Sequence, residues 1–109
     1  MATHVFKGNI KAGRISATFL SDFSNADPDL LIARYADATG GSAQAPHTAI
    51  APGGSGTVTV NASKRGLLEV LVDTGHDEES GRLQVQVDNT PRDDDAILGP
   101  VRWVYTVIE

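Results

Sequence analysis

Cysteine is absent from this chain of 109 residues. That excludes a disulfide framework, a thiol nucleophile and any thiolate-held zinc or iron–sulfur centre. No apolar run approaches the roughly 20 residues of a membrane span. Basic residues are few and scattered, Lys64-Arg65 being the one adjacent pair, and the net charge is −5. Without a clustered Lys/Arg surface, a nucleic-acid partner is not expected. The start of the chain, Met1-Ala2-Thr3-His4, has no basic region leading into an apolar stretch. The expected compartment is therefore the cytoplasm, or the exterior if a leader has been removed. EF-hand spacing and internal repeats are also missing. Pro52-Gly53-Gly54-Ser55-Gly56 leads into an apparent strand with no Lys-Ser/Thr after it, which excludes a phosphate-cradling loop.

What is present is alternation. Ile15, Ala17 and Phe19 share one side of Arg14–Leu20, with Arg14, Ser16 and Thr18 on the other. Val58 and Val60 alternate with Thr57, Thr59 and Asn61, and Leu83, Val85 and Val87 alternate with Arg82, Gln84, Gln86 and Asp88. Period-two patterns of this kind mark strands with one buried and one wet face. Leu67–Asp73 and Val101–Ile108 are apolar on both faces apart from Glu69, Arg102 and Thr106, as central or covered strands are. His4–Ile10 completes the pattern. Lys11-Ala12-Gly13 has the size of a hairpin turn and Ser63–Gly66 that of a short turn, while Thr39–Ser55, Thr74–Ser80 and Thr90–Pro100 read as loops.

One segment carries conflicting signals. Residues 28–39 have a helical start, with Asp27 as N-cap, Pro28 in the first turn and Gly40 as the stop. The all-β surroundings favour a strand over Leu30–Ala36 instead. The expectation is a single domain over residues 1–109: an all-β antiparallel sandwich of about seven strands, jelly-roll or Ig-like, with a short helix at 28–39 as the alternative.

Three features bear on chemistry. Val70-Leu71-Val72-Asp73-Thr74-Gly75 resembles the active-site turn of retroviral-type and pepsin-type aspartic proteases, in which two aspartates share a proton and activate water. Ala96-Ile97-Leu98-Gly99 echoes their later apolar-apolar-Gly element, but too little chain separates the two for the flap between them. An apolar strand ending in ordinary Asp-Thr-Gly turn chemistry accounts for the same residues. A second feature is the set of acidic loops, Asp73/Asp77/Glu78 above all, which supply the hard oxygens that calcium takes; charge at loop tips also simply keeps a surface wet and strand edges apart. Third, Trp103 and Tyr105 share one face of the last strand. They form either a stacking platform for a sugar or part of the core. Val104 and Ile108 on the opposite face want cover, which points to a homo-oligomer. His4, His47 and His76 are isolated in sequence and define no site.

Two stretches together resemble the bacterial pre-peptidase C-terminal type of β-sandwich. Phe6–Ala36 carries strand, Ala12-Gly13 turn, strand, then Asp27-x-Asp29-Leu30 and an apolar run; Gly66–Val87 carries Gly, an apolar strand, a loop and Ser80-Gly81 opening an alternating strand. Thr90–Glu109 lies outside the likeness. The resemblance implies a secreted accessory domain that binds polysaccharide or collagen, in some cases calcium, with Asp27 and Asp29 matching the acidic lead-in to the third strand. The functional expectation is a non-catalytic module recognising a carbohydrate or protein surface, calcium-assisted in one version. The alternatives are a homodimeric aspartic protease using Asp73 and a purely structural subunit of a larger assembly.

Overall fold

The structure, a computed structural model, describes residues 4–22, 28–41, 43–75 and 78–109, with the backbone alone for residues 4–7. The described residues form ten strands and no helix. In chain order these are β1 (His4–Lys11), β2 (Gly13–Ser21), β3 (Asp29–Asp37), β4 (Ala43–Gln44), β5 (His47–Ile50), β6 (Ser55–Ala62), β7 (Gly66–Asp73), β8 (Ser80–Val87), β9 (Thr90–Leu98) and β10 (Val101–Ile108). The larger sheet has the order β1-β10-β7-β3, with β4 and β5 both on the free side of β3. The smaller sheet has the order β6-β2-β8-β9.

The two sheets face each other across one core. From the large sheet come Leu31, Ala33 and Tyr35 of β3, Leu68, Val70 and Val72 of β7, and Val101, Trp103, Tyr105 and Val107 of β10, all buried. The small sheet answers with Ile15, Ala17 and Phe19 of β2, Val58, Val60 and Ala62 of β6, and Leu83 and Val85 of β8. These are alternate residues on each strand, so the period-two pattern is the direct cause of the sandwich. Burial of a side chain such as Phe19 contributes about 3 kcal/mol by area removed from water.

All seven expected strands are present, and residues 28–39 hold a strand. In β3 the burial alternates from Asp29 to Tyr35, and β7 on one side with β4 and β5 on the other supply the backbone partners. A helix would bury one stripe only and leave those partners unpaired, so tertiary pairing overrides the N-cap signal.

Four other expectations change. The connection 39–55 contains β4 and β5, and the acidic stretch 90–100 is largely strand β9. Asp88 and Asn89 make a two-residue hairpin turn into β9, both with positive φ (49° and 67°). Asp and Asn are the non-glycine residues that tolerate this conformation best. Lys11-Ala12-Gly13 is not a hairpin: β1 belongs to the large sheet and β2 to the small one, so the chain changes sheet at Ala12. At that corner the Ala12 N–H donates to the Ile108 carbonyl at 2.6 Å. Finally, the sandwich is not wholly antiparallel, because β1 runs parallel to β10, from His4 beside Val101 to Lys11 beside Ile108.

The exposed edges are protected. β9 turns Asp93 and Asp95 toward the core side, at positions opposite Val85 and Leu83, and charges set that way oppose pairing with another sheet edge. On β6 the Gln44 side chain acts as a substitute strand. Its Nε2 donates to the Asn61 carbonyl at 3.0 Å and its Oε1 accepts from the Asn61 N–H at 2.9 Å.

Candidate functional site

Asp73 closes β7 and points outward. Its Oδ1 accepts the Gly75 N–H at 3.0 Å, an Asx turn, and Gly75 takes the positive φ (75°) that the turn requires. Thr74 points inward and is buried. The Asp-Thr-Gly segment is thus a strand end whose carboxylate is exposed and engaged with its own backbone. Glu78 is exposed, and Asp77 and His76 lie outside the described residues, as does Asp27. Among the described residues no three Asp, Glu or His side chains come together in a metal-binding group.

Trp103 and Tyr105 do not form a ligand platform. They are 2% and 0% exposed, on the core side of β10, and no ring face is left for a sugar to stack on. Tyr105 has a second task. Its hydroxyl donates to Asp93 Oδ2 at 2.7 Å, Arg92 pairs with Asp93 at 3.1 Å, and Arg92 Nη2 donates to the Asn9 carbonyl at 2.9 Å. This chain of contacts ties β9, the edge of the small sheet, to β10 and β1 of the large one. Burial, then the hydrogen bond to the Asp93 carboxylate, pushes the Tyr105 hydroxyl well above the ordinary phenol range.

The outer face of the large sheet is the most unusual surface of the molecule. Val104 on β10, Leu71 on β7 and Leu30 and Ile32 on β3 lie half-buried there, and Leu67 and Ile108 are each 46% exposed. Leu30, Ile32 and Leu71 floor a depression of about 320 Å³, bounded by Arg34, Asp73 and Pro100. A short charged stripe crosses the apolar ground. Arg34 sits opposite Glu69 on the neighbouring strand, and Arg102 Nε donates to Glu69 Oε2 at 2.6 Å. Arg34 makes no ion pair among the described residues.

A second concentration of polar chemistry lies inside. The inward row of β2 runs Ile15, Ala17, Phe19, Ser21, and that of β8 runs back through Val85, Leu83 and Gly81 to Glu79 just before the strand. The row of β7 ends Val70, Val72, Thr74, and that of β3 begins Asp29, Leu31. All four terminal residues are buried and polar. They share one end of the sandwich: Ser21 pairs with Gly81, and the Leu30–Asp73 register, taken one residue further, sets Asp29 beside Thr74. Gly81 leaves room there for Phe19, whose ring would collide with any Cβ at that position. Asp29 is 4% exposed, and its Oδ1 accepts no hydrogen bond among the described residues. Sequence patterning hides this end, because Asp29 reads as part of an acidic lead-in, Thr74 as the middle of an Asp-Thr-Gly turn and Glu79 as one more charge in an acidic loop. The signal was available in the parity: each falls on the inward beat of its strand.

No protein-family model, no curated protein and no solved structure matches this chain.

Proposed function

We propose that the chain is a non-catalytic assembly module that works through the outer face of its large sheet, and that a second copy of the chain covers that face. The observation that carries this reading is the half-buried apolar ground of Leu30, Ile32, Leu71 and Val104, continued by exposed Leu67 and Ile108. Apolar surface gathered on one face, and rimmed by polar groups, is where partners bind.

Two further points support a like partner. The chain carries net charge −5, yet this face balances Arg34 and Arg102 against Glu69 and Asp73, so two copies meet here without repulsion. Arg34, with no ion pair of its own among the described residues, has a carboxylate to find across the contact. The molecule measures 41 × 25 × 22 Å, and a face of that breadth offers on the order of the 800 Å² per partner found in standard interfaces.

Sedimentation velocity over a wide concentration range tests the proposal. A dimer is expected for the natural sequence, dissociating when Val104 or the more exposed Leu67 is changed to Asp. A single monomeric species at several hundred micromolar would sink it.

A further inference from the structure

We infer that the buried polar end of the core, between Asp29 and Glu79, is a binding site for a hard divalent cation of calcium's size. The argument starts from cost. A carboxylate held away from water is unfavourable by several kcal/mol unless charge or hydrogen bonds compensate it. Asp29 is 4% exposed and its Oδ1 accepts nothing among the described residues. Glu79, 1% exposed, is a second acid on the inward row of the neighbouring layer. Apart from Asp37 at the far end of β3, the other inward positions of these four strands are apolar, aromatic or glycine; at this one end, the termini of β2, β3, β7 and β8 are all polar.

The donor set selects the ligand. Two carboxylates and the hydroxyls of Ser21 and Thr74 are all hard oxygens, and among the described residues no imidazole joins Asp29 and Glu79 in a metal-binding group. Magnesium demands a near-ideal octahedron and keeps its water; calcium accepts six to eight oxygens in irregular arrangements that mix carboxylate, hydroxyl and carbonyl. Because no three carboxylate or imidazole side chains converge among the described residues, carbonyl oxygens or water must complete the shell. The site differs from the acidic surface of the same β7–β8 connection: Asp73 faces out and Thr74 faces in. It is also independent of the proposed dimer, which uses the opposite side of the large sheet.

Calorimetric titration of the whole chain with calcium chloride, after treatment with a chelating resin, provides the test, with thermal unfolding in parallel. One site per chain is expected. At a hundredfold excess over Kd the unfolding midpoint should rise by about 10 °C or more. Asp29→Asn should weaken binding at least tenfold, and Asp73→Asn should leave it unchanged. Thr74→Val, which keeps shape and removes one oxygen, serves the same purpose if Asp29→Asn does not fold. Absence of both heat and midpoint shift up to about 10 mM calcium, beyond even weak extracellular sites, overturns the inference. So does binding that survives at Asp29 and Thr74 but is lost with Asp73→Asn, since the ion would then sit on the outer loop. An equal response to magnesium would overturn the assignment to calcium.

Discussion

The outer faces of the two sheets arise from the same alternation and end up chemically opposite. On the large sheet the outward residues of the middle strands are Leu30, Ile32, Leu71 and Val104, cut by one stripe of Arg34, Glu69 and Arg102. On the small sheet they are mainly Arg14, Ser16, Thr18, Arg82, Gln84 and Gln86, with Leu20, 37% exposed, as an apolar exception and Thr57 and Thr59 beside them on the β6 edge. Ser16 and Thr59 hydroxyls lie 3.0 Å apart and those of Thr18 and Thr57 2.8 Å apart, while Arg82 pairs with Asp94 at 2.5 Å. Leu98 is 67% exposed there, at the β9 edge and on the same outward row as Ala96. The small sheet satisfies its outer groups within itself and with water. The large sheet leaves apolar area half-exposed, so the chemistry of the outward rows, rather than strand formation, is what separates them.

That contrast can be broken. The largest effect should follow Val104→Asp, which places a charge in the apolar ground and opposite Glu69. Loss of about 2–4 kcal/mol of association, thirty- to a thousandfold in Kd, is expected by sedimentation equilibrium. Thr59→Asp on the small sheet should leave the mass unchanged.

Next comes the seam between the faces. Tyr105→Phe removes the hydroxyl that Asp93 accepts, and a loss of about 1–2 kcal/mol is expected in urea unfolding. It should also change the alkaline limb of stability. With the folded phenol raised, the unfolded chain gives up its proton first. The stabilisation is therefore complete below the ordinary phenol pKa of 10.0 and is lost as pH climbs above it. A slope near 1.4 kcal/mol per pH unit should disappear from this residue in the variant. A smaller slope should remain from Tyr35, raised by burial and by Asp37.

Smaller still is Arg102→Ala. Its pair with Glu69 is partly exposed on both sides, so no more than about 1 kcal/mol of monomer stability is at stake. A larger drop in chemical denaturation of the monomer would mean the stripe supports the fold itself. Thr59→Val should be least of all, within about 0.5 kcal/mol, because the strand keeps a β-branched residue and Ser16 turns to water. If Thr59→Val proved as costly as Tyr105→Phe, the hydroxyl ladder would be more than a wet surface.

Much of this fold was legible in sequence because burial on one face writes itself as period two. In β2, β6 and β8 the alternation is visible residue by residue, and the two-sided apolar runs of β7 and β10 mark interior strands. β9 was illegible for a physical reason. An edge strand needs charge to stay unpaired, and Pro91 with Asp93, Asp94 and Asp95 looks like a loop to any reading that equates strands with apolar residues. The change of sheet at Ala12 was equally hidden, since a three-residue link can join two strands of one sheet or two layers. For the sites, composition identified acidic residues but not the direction they face. Asp73, at the end of an apolar run, points out, whereas Asp29, legible only as part of an acidic lead-in, and Glu79, one charge among several in a loop, point in.

The parallel pairing of β1 with β10 has a mechanical consequence. His4 lies beside Val101 and Lys11 beside Ile108, so the chain enters at one end of this ladder and leaves at the other. Tension applied between the two ends pulls the strands lengthwise past each other, loading the whole row of cross-strand bonds at once instead of opening them one by one. The domain is therefore built to resist stretching along its strands far better than peeling across them.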